Sequence, residues 1–189
     1  MPVDSRRFIS RRFALGAGGL ALLSACAPSR VITEDGSIDL LTLLRDKPEH
    51  SRFVNALAVS GQTGRIGRQN GAVTLFVPTN QSMNGLPAAL LSVLDRPPSN
   101  PTAEQRAAAA RLIDANAAFG LLRLGDIEPR RGVIQTWDRG RLRISQTGPR
   151  TATVVREGVT PPVTVNITRG DILASDGTYH VTSAPILPG

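Results

Sequence analysis

Apolar positions along the chain follow a helical period first and a strand period later. In Ser37-Ile38-Asp39-Leu40-Leu41-Thr42-Leu43-Leu44 the leucines fall at i, i+1, i+3 and i+4, which predicts a helix with Ser37 as its N-cap. A second helix is expected over residues 51–60, with Phe53 and Leu57 inward and Gly61 as its stop. Residues 72–77 form a β-rich apolar run closed by Pro78, the pattern of a buried strand. Residues 86–94 read as helix, with Pro87 suited to the first turn, and residues 96–101 as a proline-rich loop. Thr102-Ala103-Glu104-Gln105 is a capping box that opens an alanine-rich helix reaching about Ala115.

After Gly120 the period changes. Residues 132–137, 141–146, 151–156 and 163–168 are strand candidates, separated by turn signals such as Asp138-Arg139-Gly140 and Gly148-Pro149. The second alternates Leu142 and Ile144 against Arg141, Arg143 and Ser145, and the fourth alternates Val163, Val165 and Ile167. A last extended run covers residues 178–187 and is interrupted by Pro185. Helices before strands predict an α+β domain rather than an alternating α/β one. No internal repeat is present.

The first 26 residues follow neither pattern. A basic stretch from Arg6 to Arg12 precedes an apolar run over residues 13–23. That run is shorter than the roughly 20 apolar residues a membrane span needs, but it fits the core of a secretory signal. The pairs Arg6-Arg7 and Arg11-Arg12 resemble the twin-arginine export signal. Ile9 or Ala14 stands where that signal commonly has phenylalanine, so the general secretory route stays open as well. The run ends in Leu23-Ser24-Ala25-Cys26, which resembles the bacterial lipoprotein box. The resemblance implies residues 1–25 as a lipoprotein signal peptide and Cys26 as the acylated first residue of the mature chain. It further implies a membrane protein of the bacterial cell envelope, and Ala27 rather than aspartate after the cysteine points to the outer membrane. Several acyl chains on one residue anchor stably where one alone binds marginally. Residues 26–36 are then a tether. Gly16-Ala17-Gly18-Gly19-Leu20-Ala21 matches a relaxed dinucleotide fingerprint, but no strand precedes it and it lies inside the leader.

Composition narrows the chemistry. The chain has 189 residues, enough for one domain with an ordinary core. The net charge of +7 arises from 22 basic residues, of which Lys47 is the only lysine. With four bases and one acid removed in the leader, 18 bases and 14 acids remain, a charge of +4. The arginines are interleaved with acids, and only Phe53, Phe76, Phe119, Trp137 and Tyr179 could stack on bases, which argues against nucleic acid as a partner. A single cysteine excludes an internal disulfide or a cysteine-based zinc site. One lysine, outside any GxxxxGK[ST] loop, excludes that phosphate motif.

Two segments about a hundred residues apart carry a family resemblance. Val73-Thr74-Leu75-Phe76-Val77-Pro78-Thr79-Asn80 is similar to the first box of the fasciclin domain. Ile172-Leu173-Ala174-Ser175-Asp176-Gly177-Thr178-Tyr179-His180-Val181, continuing to Ile186-Leu187-Pro188, resembles its second box. Between them, residues 132–136 followed by Gly140-Arg141-Leu142 match the family's threonine hairpin around Thr136. The resemblance covers residues 37–188 and implies a wedge of two β-sheets packed with several helices. It also implies a non-catalytic extracellular module for cell adhesion or contact with protein or polysaccharide. Pro78, Thr79, Asn80, Thr136, Gly177, His180 and Pro188 are its structural landmarks. Departures are Asn116, where the family commonly has histidine, Asp176 in place of asparagine, and residues 81–85, which lack the usual apolar residue.

No catalytic, cofactor or metal site is expected. His50, after Lys47-Pro48-Glu49, reads as solvent-facing. His180 reads as a buried structural residue joining the second box to the Thr79-Asn80 turn. No G-x-S-x-G elbow occurs. The expected function is a lipid-anchored contact module whose partner is an envelope or extracellular macromolecule. Two alternatives remain: a carrier of a small hydrophobic ligand, which would need an apolar cavity between helices and sheet, and an enzyme using a polar cleft around His180.

Overall fold

The computed structural model describes residues 36–67, 71–127 and 132–189. Its helices are α1 (Leu40–Arg45), α2 (Ser51–Ser60), α3 (Ala88–Asp95), α4 (Ala103–Ala115) and α5 (Leu124–Ile127). Its strands are β1 (Val73–Pro78), β2 (Ala117–Phe119), β3 (Val133–Gln135), β4 (Arg141–Gly148), β5 (Thr151–Glu157), β6 (Val163–Ala174) and β7 (Gly177–Thr182).

The α+β class holds, with helix boundaries shifted where a better cap competes. Helix α1 starts at Leu40, and Asp39 rather than Ser37 caps it, its carboxylate accepting from the Thr42 N–H at 2.9 Å. Asp176 from the distant β6–β7 turn accepts from the Leu40 N–H at 2.8 Å, so two carboxylates serve one helix start. Pro87 stands just outside α3 as its N-cap residue. Thr102 and Gln105 form both bonds of the capping box on α4, and Gly61 closes α2 at φ 72°. The short strand β2 and helix α5 have no counterpart in the periodicity, since three residues, Ala-Ala-Phe, directly after an alanine-rich helix carry no alternation to read.

All seven strands join one ladder in the order β2-β1-β7-β6-β5-β4-β3, rather than separating into two hydrogen-bonded sheets. Among the described residues, only the β1–β7 pairing is parallel. The two edges approach each other: Ala118 of β2 bridges to Thr136, and the Trp137 N–H donates to the Ala117 carbonyl at 2.8 Å. The curl encloses a core of Phe76, Leu142, Ile144, Val154, Val165 and Ile167. On the other face, α1, α2, α3 and α4 pack on Val73, Leu75 and Val77 of β1, with Tyr179 of β7. Strand β1 thus separates two cores and is buried at every position, which explains why it is apolar apart from Thr74 rather than alternating. Strand β6 runs six residues beyond its expected end at Thr168, through two irregularities of register and a positive φ of 57° at Asp171. Met83 is fully buried in the helix-side core and supplies the apolar contact that residues 81–85 seemed to lack, its flexible thioether filling the space.

Candidate interaction surface

The family landmarks are occupied in holding the fold. Asn80 Oδ1 accepts from the Arg52 N–H at 3.0 Å, and its Nδ2 donates to the Pro48 carbonyl and Ser51 Oγ, each at 2.9 Å. It caps α2 from outside, where His50, the N-cap residue, makes no side-chain cap bond. Arg52 returns a bond to the Asn80 carbonyl at 2.7 Å and grips Asp95 with two nitrogens, at 2.6 and 3.0 Å. Thr79 Oγ1 accepts from the Ser82 N–H at 3.1 Å, tightening the turn after Pro78. Thr136 Oγ1 bonds to Asp138 and to the Gly140 carbonyl, closing the β3–β4 hairpin. Pro188 is exposed and, with Leu187, flanks a groove against α3 and α4.

Gly177 is required by proximity. A Cβ there would lie 2.2 Å from the Val73 carbonyl oxygen, backbone against backbone.

Both histidines depart from their expected surroundings. His180 is fully buried opposite Phe76 in the β1–β7 register and does not reach the Thr79-Asn80 turn. Its Nδ1 accepts from the Asp171 N–H at 3.1 Å, so the ring proton sits on Nε2 and donates to the Leu122 carbonyl at 3.0 Å. Burial pushes its pKa below the ordinary histidine value, against the opposing pull of the Leu122 carbonyl and the Asp171 carboxylate. The histidine that meets the start of the Thr79-Asn80 turn is His50. It is buried rather than solvent-facing, with Nδ1 3.2 Å from the Pro78 carbonyl and the ring edge-on to Tyr179. Only the proton-bearing form of Nδ1 can donate to that carbonyl. Burial lowers its pKa too, with the Pro78 carbonyl opposing.

A third polar cluster lies under the hairpin. Arg156, buried, places Nη2 2.7 Å from Asp138 Oδ2. Burial alone would raise the Asp138 pKa, but hydrogen bonds from Thr136, Arg156 and the Gly140 N–H outweigh it and hold the carboxyl below its usual value. Among the described residues, no group of three His, Cys, Asp or Glu could hold a metal ion.

The surface shows two features. Phe119 and Leu121 are large hydrophobic side chains at 63% and 40% exposure, at the tip where β2 ends. The Phe119 ring lies 5.7 Å from that of Trp137, and the Arg65 guanidinium sits 3.9 Å above the indole while bonding Asp114 at 2.9 Å. Aromatic and arginine side chains of this kind dominate contact energetics, and no local pattern groups them because they come from three separate segments. The second feature is an apolar groove of about 330 Å³ between α3 and α4, lined by Leu86, Leu90, Ala108, Leu112 and Leu187. It lies on the outside, whereas the helix–sheet interface is filled by fully buried Leu43, Leu57, Leu75 and Ile113. Arg6, Arg7, Arg11 and Arg12, expected to form an export signal, and Cys26, expected to be acylated, lie outside the described residues. Among the described residues, no helix is long and apolar enough to cross a membrane.

A curled mixed sheet, a helical layer over its parallel pair and turns locked by Asn80 and Thr136 define the class. The chain belongs to the fasciclin domain family, whose model matches residues 48–188. Among solved structures it is similar in fold to a FAS1 domain pair from the insect cell adhesion molecule Fasciclin I. The TM-score is 0.65 at 15% identity, over 81% of this chain and 52% of that one. The chain therefore spans about half the length of the solved pair. Among curated proteins, none matches the chain.

Proposed function

We propose that the chain is a lipid-anchored module of the bacterial cell envelope that acts by contact with an envelope or extracellular macromolecule, protein or polysaccharide. Residues 1–25 are the export signal, Cys26 carries the acyl chains, residues 26–36 are the tether, and the domain begins at residue 37. Export follows the twin-arginine or the general secretory route, with the outer membrane as destination. The observation that carries a contact role is the engagement of the groups that chemistry would need. His180 has both nitrogens bonded to backbone, and Asp138 is bound by Thr136, Arg156 and Gly140. The adhesion role named for the insect relative supports the same reading.

Immobilised residues 26–189, exposed to envelope extracts beside a hydrolase and lipid-ligand screen, test it. Saturable capture of a protein or polysaccharide without turnover is expected. Stoichiometric extraction of a lipid or pigment, filling the α3–α4 groove, would replace it with the carrier reading, and turnover with an enzymatic one.

A further inference from the structure

The register places several distant residues at one end of the sheet. Phe119 pairs with Val73, Val73 with Gly177, and Gly177 with Ala174. Gly36, the first described residue, packs beside Leu173 and Ala174, and the Ser175 N–H donates to the Ile38 carbonyl at 2.8 Å. The tether therefore joins the domain at the end that carries Phe119. Three strand spacings of about 4.8 Å separate them, roughly 15 Å. Residues 26–36 reach at most about 35 Å when extended, so an anchor on Cys26 keeps this end near the bilayer.

This end is built for such a surface. Phe119 and Leu121 project from a tip whose backbone is held rigid: Thr74 Oγ1 donates to the Gly120 carbonyl at 2.7 Å and accepts from the Leu122 N–H at 2.9 Å. Trp137 and Arg65 stand beside them, the indole half-buried and the guanidinium exposed. Aromatic rings and arginine stems are the side chains that settle at the boundary of headgroup and acyl chain, with the charge remaining in water. The carboxylates of Asp39 and Asp176 at this end are turned onto the amides of α1, and Asp114 is bound by Arg65 and Gln62.

We propose that the Phe119–Leu121 tip, with Trp137 and Arg65, rests on the lipid surface that holds the anchor, as a second, weak membrane contact that orients the domain. This rests on acylation of Cys26. The acyl chains supply stable attachment, and a shallow contact beside them fixes the orientation of the domain. It also directs the partner to the faces away from this tip.

Trp137 is the only tryptophan of the chain, so its emission reports this end alone. The full lipid-modified protein would be reconstituted in phosphatidylethanolamine–phosphatidylglycerol vesicles, with and without bromine on the upper acyl chain. Flotation reads the anchor and bromine quenching reads the tip. Floating protein with clear loss of Trp137 emission in brominated vesicles is expected. F119S together with L121S should weaken the quenching while flotation and the denaturant midpoint stay unchanged, because both side chains are exposed. Floating protein with unquenched emission overturns the proposal and leaves the anchor standing. Emission that follows protein density rather than bromine means a second copy covers the tip, and also overturns it. Protein that does not float removes the anchor and the proposal with it.

Discussion

The side chain of Asn116 holds the backbone of Ile186 from both sides, across 70 residues of sequence. Its Nδ2 donates to the Ile186 carbonyl at 2.8 Å, and its Oδ1 accepts from the Ile186 N–H at 2.9 Å. The same Nδ2 reaches the Leu112 carbonyl at the end of α4, so one amide ties a helix to the last segment of the domain. A carboxamide pairs with a peptide as a strand would, which histidine at this place cannot do with both groups at once.

Asn116→Ala should leave buried peptide groups of Ile186 without partners, at about 1–3 kcal/mol for an unsatisfied group, and lower the denaturant midpoint by a loss of about 2–4 kcal/mol. Asn116→Asp keeps the acceptor for the Ile186 N–H and opposes two carbonyls, so it should be no milder. An unchanged midpoint in the alanine variant would show that water replaces the clamp.

His180 and His50 make stability depend on pH in one direction. Both have folded pKa values below the ordinary 6.5, so the unfolded chain binds protons that the folded chain refuses. Stability is fully present above about pH 6.5 and declines as pH falls below it. The carboxylates of Asp39, Asp95 and Asp138 are held below the ordinary 3.8 and add their own loss only as pH falls further, toward that value and below. Urea midpoints between pH 7.5 and 5 should therefore decline, and the slope should lessen in His180→Gln. A flat profile across that interval contradicts the buried neutral rings.

Gly177→Ala should be among the most damaging single changes. Its Cβ meets the Val73 carbonyl at 2.2 Å, and neither strand can yield without opening the parallel β1–β7 pair. Overpacking of this kind costs about 1–3 kcal/mol or more. Gly61→Ala, with open space around it but φ at 72°, should cost only about 1–2 kcal/mol. Comparable midpoints for the two variants would mean the strands separate easily.

Cys26→Ser should move the protein from the membrane to the soluble fraction and abolish labelling by a fatty-acid probe. Retention together with undiminished labelling would exclude the anchor and leave the fold description untouched.

Local rules make much of this protein legible in its sequence. The capping box at Thr102, the stop at Gly61 and the alternation of Leu142 and Ile144 depend on residues a few positions apart, and the structure keeps all three. The family boxes mark positions where backbone meets backbone, so Gly177 and Asn80 stand out by residue type. What those residues touch was decided only by the tertiary structure. His180 binds Leu122 and Asp171 rather than the Thr79-Asn80 turn, His50 is buried against Pro78, and Asp176 caps a helix 136 residues away. Hydrogen-bond partners at that separation follow from strand order and sheet curl, which no local period encodes. The cluster of Phe119, Trp137 and Arg65 shows the same division: each residue is ordinary in sequence, and only closure of the β2 and β3 edges brings the rings and the guanidinium together.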